Sequence, residues 1–210
     1  MISYSCFSQL LRNISKGVPM KTALIVIDLI NDITHAEGKI PSCAVHVAER
    51  QVIAKANQAL QFARAKRWLP ILVKVGFSEG YHEQPKNSPL FGTAHLNQVL
   101  KLGQWGTAFR ADLDVQPSDL VVVKPRINPF YASALEAALR ANKIERLVVC
   151  GVSTTWAIQS MVRDAHDRDY QVVILEDACA AADEQEHSSS ITQLSRIAKV
   201  MTVGELPALD

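Results

Sequence analysis

Leu147-Val148-Val149-Cys150-Gly151-Val152-Ser153-Thr154-Thr155-Trp156-Ala157-Ile158-Gln159-Ser160 is the stretch whose reading decides how this chain folds. It opens on a strand-sized apolar run, passes through a glycine that tolerates a sharp turn, and continues into residues of helical period. A buried strand running straight into a helix is half of a strand–helix–strand crossover unit, which joins parallel neighbours. Working outward, comparable apolar runs predict strands at residues 22–28, 70–76, 119–124, 171–176 and 200–202, beside 146–151. They are rich in Val, Ile and Leu and scarcely alternate, as expected when helices cover both faces of a sheet. Helical periods predict helices at 48–67, 131–141, 154–168 and 184–198. In the first, Val52, Ile53, Ala56, Leu60 and Ala63 form an apolar stripe opposite Gln51, Gln58 and Gln61. The expected architecture is a three-layer α/β/α fold, with a six-stranded, mainly parallel sheet between helices.

The 210 residues suit one domain, 48% apolar and 20% charged, with a net charge of +1. That balance excludes a disordered or polyelectrolyte-binding chain, and neither nucleic acid nor a membrane is an expected partner. No apolar run approaches the roughly 20 residues that cross a bilayer. Cys6, Cys43, Cys150 and Cys179 show no C-x-x-C pairing, so neither a disulfide scaffold nor a zinc ribbon is expected, and a reducing cytoplasm is the default location. Residues 1–19 read as an N-terminal arm or extension, and 20–210 as the domain. The weak apolar stretch of the arm precedes Arg12 and Lys16, the reverse of a secretory signal, and Met20 is an alternative start.

One segment breaks the rhythm. Residues 77–113 carry Pro85, Pro89 and the aromatics Phe77, Tyr81, Phe91, Trp105 and Phe109. Long loops in compact domains are functional or disordered, and the aromatics argue for order. The segment is expected to be a pocket wall, lid or subunit contact, with Trp105 facing the substrate. A surface loop anchored by its aromatics is the competing reading.

Ligands of parallel sheets collect at the carboxyl ends of the strands. Three ends carry informative residues: Asp28, Lys124, and Gly151 ahead of a helix. Each has a bland reading alone. Asp28 with Asn31 and Asp32 can merely organise a turn, and Lys124 can snorkel to water. The three together on one rim are what a catalytic site requires.

Three segments together resemble the isochorismatase-like hydrolases, also called cysteine hydrolases, over residues 21–205. Val26-Ile27-Asp28-Leu29-Ile30-Asn31-Asp32-Ile33 is similar to the aspartate segment of that family, although Ile30 and Ile33 stand where glutamine and phenylalanine are usual. Lys124-Pro125-Arg126, followed by Phe130 and Ser133, is similar to the lysine segment. Residues 150–165 resemble the family's Gly-Val-Ala-Thr-Asn-x-Cys-Val-x-Ser-Thr-x-Arg-Asp-Ala, a register in which Ala157 takes the place of the nucleophilic cysteine. The resemblance implies a Rossmann-like fold, Asp28 as catalytic acid or base and Lys124 as its partner. It also implies a cis peptide between Val152 and Ser153, and a substrate or oxyanion pocket around Val152, Ser153, Thr154 and Trp156. Relatives are commonly dimers or tetramers, which makes a homo-oligomer the expected assembly around a small-molecule substrate.

An alanine methyl cannot be a nucleophile. Cys150 and Cys179 are expected to be structural, Thr154 and Thr155 to cap a helix, and Arg163 and Asp164 to form a structural ion pair. The six histidines lack metal-ligand spacing, and the Asp-x-His-x-x-x-His cluster of nicotinamidases has no match, so no metal or other cofactor is expected. Three readings stand open. The chain is a hydrolase that needs no thiol, as the vinyl-ether chemistry of isochorismatases allows; or it is an amidase whose cysteine became alanine, naturally or by engineering. Otherwise it is a binding protein on the same fold.

Overall fold

The computed structural model describes residues 20–209, and the expected N-terminal arm lies outside the described residues. Strands β1 (Thr22–Ile27), β2 (Leu69–Val75), β3 (Leu120–Lys124), β4 (Arg146–Val152), β5 (Gln171–Ala180) and β6 (Lys199–Met201) form one sheet. The order is β3-β2-β1-β4-β5-β6, and every pairing is parallel. Every residue of β1 and β4 is buried, in keeping with the apolar runs that follow Thr22 and Arg146 at their starts. The order reverses between these two central strands, and their carboxyl ends open the crevice where such sheets bind ligands.

The helices are α1 (Asn31–Thr34), α2 (Ala44–Glu49), α3 (Val52–Ala65), α4 (Ala94–Asn97), α5 (Leu135–Ala141), α6 (Gln159–Asp167) and α7 (Glu184–Leu194). The apolar stripe of α3 is buried as its period predicts, and the helix packs on β1, β2, β4 and β5. Helices α6 and α7 pack on each other and on β5. Asp183 starts α7 by accepting the Glu186 N–H at 2.8 Å, which satisfies one orphan donor of the first turn. Among the described residues, no helix is long and apolar enough to cross a membrane.

Several boundaries differ from the expected ones, each for a local reason. The helix expected over 48–67 is two helices, broken where Gln51 takes a left-handed conformation at φ 55°. Arg50 at the break reaches the Glu176 carboxylate at 2.6 Å and the Cys179 carbonyl at 3.0 Å, partners remote in sequence. The helix expected from residue 131 begins at Leu135, because Ala132 is left-handed and the Ser133 hydroxyl accepts the Leu135 N–H. Thr154–Ile158 is a π-type turn before α6 rather than its first α-helical turn. Strand β5 runs on to Ala180, past a register shift against β4 between Val149 and Gly151. On the edge strand β3, Val121 and Val123 are exposed, so one face there is bare instead of covered.

Residues 77–113 are a packed wall. Phe77 and Tyr81 are buried in a second apolar cluster with Val75 and Leu100, and Phe91 packs against it.

Candidate active site

Asp28 follows the last residue of β1 with φ 55°, and its N–H is held by the Val73 carbonyl at 2.8 Å. This turn sends the carboxylate sideways across β2. Oδ1 accepts the Val75 N–H at 2.7 Å, and Oδ2 accepts Lys124 Nζ at 2.7 Å from the end of β3. Parallel register makes the reach possible, since Lys124 lies opposite Val75. The ammonium also donates to the Ile127 carbonyl at 3.0 Å and the Arg126 carbonyl at 3.3 Å, as the chain curls back after the strand. Lys124 therefore does not snorkel. The side chains of the pair are 1% and 5% exposed.

Burial pushes the Asp28 carboxyl above its ordinary value, opposed by the charge and hydrogen bond of Lys124 and by the Val75 N–H. Desolvation disfavours a lone carboxylate, while a lysine at contact distance keeps the ionised form accessible. A group so balanced can give and take a proton, which is the property required of a general acid–base.

Asp28, Lys124, Ser153, Trp156 and Ala157 line one cavity of about 100 Å³. Most of its remaining wall is apolar, including Ile40, Leu90, Phe91 and Leu100. The Val152–Ser153 peptide is cis. Gly151, at φ 116°, lies so close to β1 that a Cβ there would collide with the backbone of Ile27. That close approach brings the turn after β4 alongside Asp28. Trp156 is 55% exposed and stands at the cavity's outer edge.

Other expected site residues lie elsewhere. Val152 and Thr154 are wholly buried and do not line the cavity. Neither threonine caps a helix: the Thr154 hydroxyl bonds His187 Nδ1 at 2.9 Å and the Thr155 hydroxyl donates to Glu186 at 3.0 Å. Trp105 lines different depressions, packed edge-on against His35 at 5.2 Å. Its carbonyl accepts from Asn31, and Asp32 accepts the Leu100 N–H, so these two polar residues anchor the wall. The expected Arg163–Asp164 pair is not formed. Asp164 pairs instead with Arg168 at 2.7 Å, and Arg163 bonds Gln159 and Gln193. Cys150 and Cys179 are inaccessible, and burial drives both thiols up, Cys179 to about 12. Among the described residues, no group of three or more His, Cys, Asp or Glu is placed to hold a metal.

Cys43 is the residue that the sequence reading missed. It lines the cavity with Asp28 and Ala157, although it lies in the stretch before α2 that bears no motif. Burial is the main effect and raises its thiol further from ionisation; hydrogen bonds with the Ser42 and Ser153 hydroxyls oppose it, and the charges of Glu186 and Asp28 add smaller increases.

A parallel sheet reversing at β1/β4, with a buried acid–lysine pair at that point, defines an α/β protein of Rossmann-like topology with its ligand crevice at the carboxyl ends of the central strands. The isochorismatase domain pattern matches residues 22–205. The uncharacterized isochorismatase family protein YecD of Escherichia coli O157:H7 is 34% identical over 189 residues, covering 88% of this chain and 94% of that protein. The ureidoacrylate amidohydrolase RutB of Stutzerimonas stutzeri is 34% identical over 173 residues, covering 75% and 69%. A solved isochorismatase family protein from Desulfovibrio vulgaris superposes with a TM-score of 0.81 at 21% identity, over 90% of this chain and 98% of that one. The chain belongs to the isochorismatase family of hydrolases.

Proposed function

We propose that the protein is a small-molecule hydrolase that works through Asp28 and Lys124, without a side-chain nucleophile at position 157. The observation that carries this reading is the buried 2.7 Å pair of Asp28 and Lys124 in a cavity that Ala157 also lines. An acid-cleavable bond, such as a vinyl ether, fits that equipment. Asp28 in its acid form gives its proton to the alkene carbon, water adds to the resulting oxocarbenium ion and returns a proton to the Asp28 carboxylate. The hemiketal then collapses to a ketone and an alcohol. Lys124 holds the carboxyl in place and stabilises its ionised form in the interval between giving the proton to the substrate and recovering one from water. Similarity to RutB favours a second reading, in which the same pair activates water against an amide or ureido bond.

The test is turnover of vinyl-ether and amide or ureido substrates by the protein and two variants. Asp28→Asn is expected to lower turnover by at least about a hundredfold. Ala157→Cys is expected to leave it within a few fold. Turnover retained by Asp28→Asn overturns the assignment, and amide hydrolysis that arises only with Ala157→Cys identifies a disabled amidase instead.

A further inference from the structure

Beside the cavity of Asp28 lies a wider one of about 540 Å³, and Phe91 and Ile127 line both. The charged residues on its wall are Arg126, Asp164 and Arg168. Two of them neutralise each other: Arg168 Nε donates to Asp164 at 2.7 Å, and Asn128 adds a bond to Asp164 at 2.7 Å. Arg126 is different. Its Nη1 donates to the Glu83 carbonyl at 2.8 Å and the Pro125 carbonyl at 2.7 Å, and the Tyr131 ring lies 5.4 Å from its guanidinium carbon. Among the described residues no carboxylate pairs with it, and its Nε and Nη2 donate to none of them. The nearby Glu83 carboxylate is committed to Ser78.

A half-buried guanidinium fixed on one edge, braced by an aromatic ring and left with two free donors presents the fork that a carboxylate accepts. Lys124 is two residues earlier on the same strand exit, so the cation is tied by covalent geometry to the acid–lysine pair. We propose that this second cavity is the subsite for the anionic end of the substrate, with a carboxylate bound by Arg126 while the bond to be cleaved lies beside Asp28. The inference rests on the proposed reading of Asp28 and Lys124 and assigns that site a substrate class: short-chain acids bearing a hydrolysable group within a few atoms of the carboxylate.

The probes are succinamate and succinamide, which differ in one carboxylate replaced by a neutral amide. Calorimetric titration is performed on the full chain, Arg126→Gln, Arg126→Lys and Asp28→Asn. The full chain is expected to bind the acid at least about tenfold tighter than the diamide. Arg126→Gln is expected to abolish that difference by weakening only the acid, and Arg126→Lys to keep part of it. Asp28→Asn is expected to keep the preference, whatever its turnover, which separates failure of the subsite from failure of the catalytic assignment. A full chain that binds neither probe, or both equally, overturns the inference, as does an Arg126→Gln variant that still prefers the acid.

Discussion

The Thr154 hydroxyl lies 2.9 Å from His187 Nδ1, and Nε2 on the far side of that ring faces the Glu176 carboxylate at 3.4 Å. The chain ties the turn after β4 to α7 and to β5 through side chains that never reach the cavity. Around it, Arg50 pairs with Glu176 and Glu184, and His46 bonds Glu184 at 3.2 Å. A hydroxyl, an imidazole and a carboxylate in a row have the form of a nucleophilic triad, but Thr154 is wholly buried, so the row holds the turn in position.

This arrangement sets a pH dependence. Burial, then the charge of Arg50, lowers the His187 pKa from 6.5, so the folded protein keeps a neutral ring. On acidification the unfolded chain takes up a proton at this residue before the folded one does. The stabilisation is therefore present above about pH 6.5 and is lost as the pH falls below it. Melting temperature is expected to drop between about pH 7 and about pH 5.5, and to drop less in His187→Gln. The carboxylates of Glu83, Glu184 and Glu205 are held low, Glu184 to about 2, so their losses come at more acid pH. Equal slopes in the two proteins across that window would refute the role given to His187.

The Asp28–Lys124 pair is expected to be coupled. Removing Lys124 alone leaves a buried carboxyl without its cation, and Lys124→Met should cost about 3–5 kcal/mol of stability at neutral pH. Asp28→Asn combined with Lys124→Met should cost clearly less than the sum of the two single changes, since neither charge is then stranded. Denaturant unfolding of the four proteins closes the cycle, and strict additivity would show that the two groups do not interact.

Gly151 is expected to resist substitution. A side chain there meets the Ile27 backbone, which cannot move without disturbing the central strand, and the φ of 116° adds strain for any L-residue. Gly151→Ala should cost roughly 3 kcal/mol or more. Gly204→Ala is a control, because its added carbon meets only the Thr202 hydroxyl at an ordinary 3.9 Å. Comparable melting temperatures for the two variants would contradict the close approach.

Cys43 is expected to remain a thiol. Buried beside two acidic groups, it should react with iodoacetamide more slowly than free cysteine at neutral pH, as followed by peptide mass. Cys43→Ala should retain turnover within a few fold. Loss of turnover in that variant would make Cys43 a nucleophile brought in from another loop, and would replace the water mechanism.

The layers, all six strands and the apolar stripe of α3 were legible in the sequence, because hydrophobic period and strand-end punctuation are local signals carried by neighbouring residues. Asp28, Lys124 and Gly151 were legible as strand ends for the same reason, whereas Ala157 was singled out only by the family resemblance. Only the tertiary structure decided which side chains face the cavity. It brought Cys43 in from a loop without a motif, turned Thr154 away to His187, and moved Trp105 to another face. It alone left Arg126 without a counterion among the described residues and gave Asp164 to Arg168. Such pairings depend on where separate crossovers deliver their loops, and nothing in the local order of residues encodes the distance between the ends of different strands.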